Sequence, residues 1–192
     1  MLRPLLATSV FVFCLAQSFP LAGQYTIPAE DQERVEKEMC KKLGCAFDVR
    51  IVLKQPDGST YDKRFRTLPV VQPNGVSVYA GQRVLFEADV QGDQLTNFKL
   101  VKTVEHPEKT LSASLEQRSD NSMALTMQNP FNQNLKIDMG IMPLDRHDLL
   151  KTSSCPVLAE KIGIELWSYP IFQVTLGNLR LLKVSDEMAC TE

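Results

Sequence analysis

The stretch "FDVRIVLKQPDGSTYDKRFRTL", residues 47 to 68, decides the fold class. Its first half alternates between apolar and polar residues, which places Phe47, Val49, Ile51 and Leu53 on one face of a β-strand. "QPDGS" is a strong turn signal, and the residues after it return as the second arm of a hairpin. The sequence therefore predicts an antiparallel β-hairpin at this point.

The same alternation recurs along the chain that follows. Further strands are predicted in "RVLFEADV" (83–90), "LTNFKLVKTV" (95–104), "KTLSASLEQ" (109–117), "MALTMQ" (123–128), "LKIDMGIM" (135–142) and "IFQVTLGNLRLLKV" (171–184). Phe98, Leu100 and Val104 are expected to face inward, and Gly177 with Asn178 permits a bulge. Short strands at this spacing are typical of an antiparallel β-sandwich, of which the immunoglobulin-like sandwich is one form. The prediction is a mainly β fold.

One helix is predicted before the strands, over residues 29–43. Acidic residues fill its first turns and lysines its last turns, which complements the helix macrodipole. Gly44 suits the left-handed position just beyond a helix end. Val35, Met39 and Leu43 recur every four residues and form a narrow apolar stripe.

The first 23 residues have the plan of a secretory signal peptide. Arg3 precedes an apolar run from Leu5 to Ala16, which is shorter than the roughly 20 residues of a membrane-spanning helix. Cleavage is expected after Ser18 or Gly23. Residues 24–192 then form a single domain without a membrane span, located in the periplasm or outside the cell.

Removal of the signal peptide leaves four cysteines, namely Cys40, Cys45, Cys155 and Cys190. An even number of cysteines in an oxidising compartment indicates disulfide bonds, and four cysteines allow three pairings. Cys40 lies in the last turn of the predicted helix and Cys45 just beyond Gly44, so a chain reversal could join them. Cys190 lies in a polar tail, for which Cys155 is the anchor. We therefore favour the pairs Cys40–Cys45 and Cys155–Cys190.

The cysteines do not suit a metal ion, a redox motif or any other cofactor. A closed zinc site commonly uses paired ligands at short spacing, whereas four residues separate Cys40 from Cys45. A redox pair sits at the start of a helix, where the dipole lowers the thiol pKa, and this pair sits at a helix end. The chain has two histidines, His106 and His147, and neither is near a cysteine in sequence. We expect neither metal nor cofactor.

The segment "LDRHDLL" is the one stretch that suggests a hydrolase, since Asp145, His147 and Asp148 lie close together in sequence. A nucleophile would have to come from Ser153 or Ser154, but triads are assembled across a fold and no nucleophile-elbow pattern occurs. A polar surface loop is the simpler interpretation of this segment. We therefore expect a protein that is not an enzyme, with a secreted hydrolase centred on His147 as an alternative.

A binding role remains. The formal net charge of −2, without a block of like charges, gives no case for nucleic acid. Four aromatic residues, Phe131, Trp167, Tyr169 and Phe172, could form an exposed patch for a protein or a cell-envelope ligand, although large aromatic residues more often complete a core. The sequence thus predicts an exported, non-catalytic binding or accessory protein. A second alternative is a structural subunit of a surface assembly, which would need an open sheet edge.

Overall fold

A computed structural model of the chain describes residues 29–186 and 188–190, so the expected signal peptide lies outside the described residues. One helix, α1 (Ala29–Lys42), precedes twelve strands, and the strands are antiparallel wherever they pair as ladders. The strands are β1 (Cys45–Lys54), β2 (Thr60–Pro69), β3 (Val71–Gln72), β4 (Gly75–Tyr79), β5 (Gln82–Gln91), β6 (Gln94–Val101), β7 (Thr110–Gln117), β8 (Met123–Gln128), β9 (Leu135–Pro143), β10 (Leu150–Thr152), β11 (Ile162–Trp167) and β12 (Ile171–Leu181). The mainly β fold with one short helix is confirmed, and the immunoglobulin-like form stays a prediction.

The helix α1 carries ion pairs along its surface, including Arg34–Asp31 at 2.9 Å and Lys37–Glu33 at 3.0 Å. It also contacts strand β2, because Arg66 lies 3.2 Å from the Glu33 carboxylate. The helix does not bury its whole apolar stripe, since Val35 is exposed. Polar contacts therefore contribute much of what holds this helix against the hairpin.

Strands β1 and β2 form the predicted hairpin as a separate two-stranded sheet. Val49, Ile51 and Leu53 are buried as expected. Phe47 is not buried, since 66% of its surface is exposed. Asp48 has a φ of 55°, in the left-handed region, which interrupts the extended backbone between Phe47 and the buried residues. The prediction of an inward Phe47 was wrong for this reason.

The other ten strands form one sheet with the order β10–β9–β12–β6–β5–β7–β8–β11, and β4 pairs with β12 outside this path. Its two end strands approach each other, since the indole N–H of Trp167 on β11 donates to the hydroxyl of Thr152 on β10 at 3.3 Å. The sheet therefore curls around a core to which both sheets contribute. Alternate residues of β7, β8 and β9 point into this core.

Strand β12 is the centre of one side of the sheet, with β9 on one side and both β4 and β6 on the other. The expected bulge is present, because the β12–β9 register shifts between Gly177 and Arg180 and Asn178 has a φ of 45°. Gly75 allows β4 to approach β12 closely: a Cβ atom there would collide with the backbone oxygen of Leu176. The side-chain amide of Gln173 donates a hydrogen bond to the buried Ser77 hydroxyl at 2.9 Å, so these two polar side chains between the strands are paired.

The structure departs from the sequence prediction in two further places. Val104 was expected to face inward, but it lies in the loop after β6 and is 53% exposed. The strands β10 and β11 lie between residues 143 and 170, where the sequence analysis predicted no strand. Among the described residues, no helix combines the length and the apolar character needed to cross a membrane.

Candidate functional site

The most unusual surface of the molecule is strand β11, which forms one edge of the main sheet. Ile162, Ile164 and Leu166 alternate along it, and they are 62%, 62% and 57% exposed. We call these three residues the β11 row. Apolar side chains in strands normally point towards the core, so a whole row that points outward makes this strand the candidate functional surface.

The inner positions of β11 explain why the apolar residues point outward. A Cβ atom on Gly163 would lie 2.7 Å from Cγ2 of the buried Val157, so the strand packs directly on the segment beneath it. The Glu165 carboxylate accepts a hydrogen bond from the backbone N–H of Cys155 at 3.1 Å. Together with Trp167, these contacts fix which face of β11 points inward. The β11 row is therefore held in an outward orientation.

The backbone of β11 also has an open side. The N–H of Asn129, just beyond β8, donates to the carbonyl of Lys161 at 3.0 Å, so this carbonyl faces β8, while the N–H of Lys161 donates to Leu158. Facing alternates along an antiparallel strand, which turns the N–H and C=O groups of Ile162, Ile164 and Leu166 away from β8. Within the described part of the chain, β8 is the one strand that pairs with β11. The β11 row and the open backbone groups therefore belong to the same three residues.

The opposite edge of the sheet is different. Strand β10 has three residues, one of which is the exposed Lys151. A short edge strand with a charged residue is a common protection against unwanted pairing. Strand β11 is twice as long as β10. Its one charged residue, Glu165, points to the inner face, where its carboxylate is hydrogen-bonded to Cys155. The two edges are thus unequally protected.

The cysteines form the two expected pairs. Cys40 is joined to Cys45 with a Cα–Cα distance of 5.4 Å, and Cys155 is joined to Cys190 at 4.0 Å. The first bond links the end of α1 to the start of β1, and the second lies next to the segment under β11. A disulfide sulfur is neither a thiolate nucleophile nor a thiolate ligand. No group of side chains suited to a metal ion occurs among residues 29–186 and 188–190.

The four aromatic residues of the expected patch are not brought together on the surface. Phe131 is buried, and Phe172 contacts the rings of Tyr61, Phe65 and Tyr79 at centroid distances of 6.4, 5.4 and 5.7 Å. Trp167 is half-buried and packs against the core. Tyr169 is exposed and borders a groove of about 360 Å³ that also contains Pro56, Pro143, Leu150 and Pro170. Tyr169 is thus the one member of the set that is exposed to a partner.

A larger hollow of about 700 Å³ lies between α1 and β2, and its lining is mostly charged. These charges already have partners in the protein. Glu33 pairs with Lys37 and Arg66, and the hydrogen bond from Lys37, followed by that from Arg66, lowers the pKa of the Glu33 carboxyl. A ligand would have to displace these ion pairs to bind. The hollow is therefore a weaker candidate than β11.

Two residues of the hydrolase alternative, Asp148 and Ser154, have other partners. Asp145, His147 and Asp148 lie in an exposed loop, where the Arg146 guanidinium is 3.1 Å from Asp148 and, chiefly through this hydrogen bond, lowers the pKa of that carboxyl. Ser154 is buried and its hydroxyl donates to the carbonyl of Ile137. Asp148 is thus oriented by an arginine, and the Ser154 proton is engaged by the backbone.

The sequence pattern did not single out the β11 row. "IGIELW" alternates as a strand should, but alternation does not say which set of residues is buried. Gly163, which has no side chain, was the available signal that this set packs against another segment. No family model, curated protein or solved structure matches the chain.

Proposed function

We propose that this chain is an exported, non-catalytic protein that binds another polypeptide chain along the open edge of β11. The observation that carries the proposal is the coincidence, at Ile162, Ile164 and Leu166, of exposed apolar side chains and open backbone groups. A soluble protein seldom leaves both on one edge strand without a partner, because such an edge promotes aggregation.

The mode of binding follows from the two features of the edge. An extended segment of the partner would pair with the backbone groups of the three residues and so add a strand to the sheet. Its outward side chains would lie beside the β11 row and bury apolar surface, which contributes roughly 25 cal/mol per Å². The main chain would thus supply affinity, and the β11 row would favour partners with apolar residues at alternate positions.

The exported location is supported by the two disulfide bonds, since such bonds persist in oxidising compartments. A structural subunit of a surface assembly is a second candidate, and the same open edge favours it. The hydrolase alternative gains no support from the contacts of Asp148 and Ser154. The proposed role therefore concerns association and not turnover.

The test is site-specific photocrosslinking in the producing cells. A photoreactive amino acid would replace Ile164 in one variant and Val104 in a control, since both positions are apolar and exposed. We expect a discrete polypeptide adduct at position 164, mapped by mass spectrometry to one short segment of the partner. The adduct should vanish when Leu166→Lys is added, and it should be absent at position 104.

The opposite results would overturn the proposal. If position 164 gave no adduct, or only the scattered adducts also seen at position 104, the β11 edge would not be a binding site. An adduct that survived Leu166→Lys unchanged would place the binding surface elsewhere.

A further inference from the structure

We infer that the polypeptide bound at the β11 edge is a second copy of this chain, with the two β11 strands antiparallel and Ile164 facing Ile164 of the other copy. The inference rests on the proposed function and names its partner. The argument depends on which registers the strand allows, because an antiparallel pair of identical strands is related by a two-fold axis.

The open backbone groups restrict the registers. Ile162, Ile164 and Leu166 must face residues whose own groups are also open, which means each other. A shift by one residue would set open groups against groups already bonded to β8. The arrangements that pair at least two of these three residues place the two-fold axis at Gly163, at Ile164 or at Glu165.

Side chains decide among these three arrangements. An axis at Glu165 would set the two Glu165 residues directly opposite each other, and like charges in facing positions are destabilising. An axis at Gly163 would set Leu166 opposite Glu160, which lies before the strand with a φ of 57° and therefore does not continue it. An axis at Ile164 pairs all three open residues and sets Glu165 opposite Gly163. This is the register that we infer.

The paired strands would create one continuous surface. Ile164 would face its equivalent, and Ile162 would face Leu166 in both directions, so the two β11 rows would form one apolar band of six side chains. Lys161, which is exposed, would lie opposite Trp167 at each end of the band. The surface left exposed on each copy would thus be covered by the same surface of the other.

The inferred pairing would stop at two copies. Both β11 edges are used in one dimer, and the other sheet end is the short β10 with Lys151. A self-complementary interface of this kind gives a dimer, whereas a fibre needs two different surfaces. The inference therefore distinguishes a dimeric protein from the subunit of an extended assembly.

The test uses the purified chain and needs no unidentified ligand. Sedimentation velocity is expected to show a monomer–dimer equilibrium for the unmodified chain and a monomer for Ile164→Lys. The matched control is Val104→Lys, which also places a lysine at an exposed apolar position. It should keep the dimer, and a single cooperative thermal transition in each variant should show that both fold.

Cysteine variants test the register. In the inferred dimer, two residues at position 164 have Cα atoms about 5.5 Å apart, within the range that a disulfide can bridge. Ile164→Cys should therefore crosslink to itself under mild oxidation. A mixture of Ile162→Cys and Leu166→Cys should also crosslink, whereas Ile162→Cys alone should not, because its two copies would lie about 13 Å apart along the strands.

Each contrary outcome has a distinct meaning. A chain that stays monomeric up to millimolar concentration overturns the second copy, and a photoadduct from position 164 with another polypeptide would then leave the proposed function standing. An adduct to residues before Ala29 of the same chain overturns the second copy and the proposed function together. Absence of any adduct also overturns both. Self-crosslinking of Ile162→Cys overturns the register.

Discussion

Gly163 on β11 lies so close to Val157 that a Cβ atom at position 163 would be 2.7 Å from the Cγ2 atom of the valine. Val157 is itself paired with Leu135, because the two residues exchange backbone hydrogen bonds of 2.8 Å. The orientation of the edge strand is thus fixed from beneath by a residue anchored to β9.

We expect Gly163→Ala to destabilise the protein by about 1–3 kcal/mol, since the added methyl group overpacks a buried contact. The valine can be shortened to make room, so the double variant Gly163→Ala/Val157→Ala should cost less than the sum of the two single changes, by about 0.5–3 kcal/mol. Urea unfolding of the four proteins measures this coupling. Strict additivity would show that the contact does not hold β11.

The side chain of Gln117 on β7 forms hydrogen bonds with both backbone groups of Lys54 at the end of β1. Its amide oxygen accepts from the Lys54 N–H at 2.7 Å, and its amide nitrogen donates to the Lys54 carbonyl at 2.8 Å. Gln117→Ala should lower the free energy of unfolding by about 1 kcal/mol, since the site is exposed and water replaces part of the loss. This corresponds to a fall of about 2–4 °C in the melting temperature. The exposed Gln128→Ala is the control, and an equal fall there would contradict the bridging role.

The two disulfide bonds should differ in their contribution to stability. Loop-closure entropy gives up to about 3.8 kcal/mol for the bond between Cys155 and Cys190 and about 2 kcal/mol for that between Cys40 and Cys45. Replacing each pair by serine should therefore lower the urea midpoint more for the first pair. The reverse order would mean that the short bond mainly secures α1 against the hairpin.

The phenol of Tyr79 should make stability fall at high pH. Burial raises its pKa to about 12, despite an opposing hydrogen bond with Ser77, and its hydroxyl donates to the Pro69 carbonyl at 2.8 Å. Because the pKa is about 10 in the unfolded chain, this contribution is complete below about pH 10 and is lost as the pH rises towards 12. Urea unfolding across this range should show a smaller alkaline loss for Tyr79→Phe. Parallel curves for the two proteins would refute the assignment.

The sequence predicted most of the strands because each has a local pattern that burial on one face imposes. It could not predict strand partners such as β8 with β11 or β9 with β12, since these contacts join residues distant in the chain. The inward face of β1 was predicted correctly from Val49 onwards and wrongly at Phe47. The reason is the left-handed backbone at Asp48, which a period-two pattern does not reveal.

The candidate site was less predictable than the fold. The sequence left open whether the four aromatic residues form an exposed patch or complete the core, because the buried position of Phe131 and the ring contacts of Phe172 depend on tertiary packing. Strand β11 departs from the usual rule, because Ile162, Ile164 and Leu166 point outward while Gly163 takes an inner position. A pattern of alternation is the same in both orientations. The contacts of Gly163 with Val157, of Glu165 with Cys155 and of Trp167 with the core determine which orientation the strand adopts.

The bond between Cys155 and Cys190 also relates the β11 edge to the order in which the chain is synthesised. A chain is made from its amino end, so Cys155 and all of β11 are complete before β12 and then Cys190 exist. The segment on which β11 rests therefore lacks its disulfide bond until every described strand has been synthesised. Until then, β11 is supported by non-covalent contacts alone, such as that of Gly163 with Val157. If two β11 strands associate as we infer, this order of residues would delay that association until the chain is complete, and the exposed strand would be protected during synthesis.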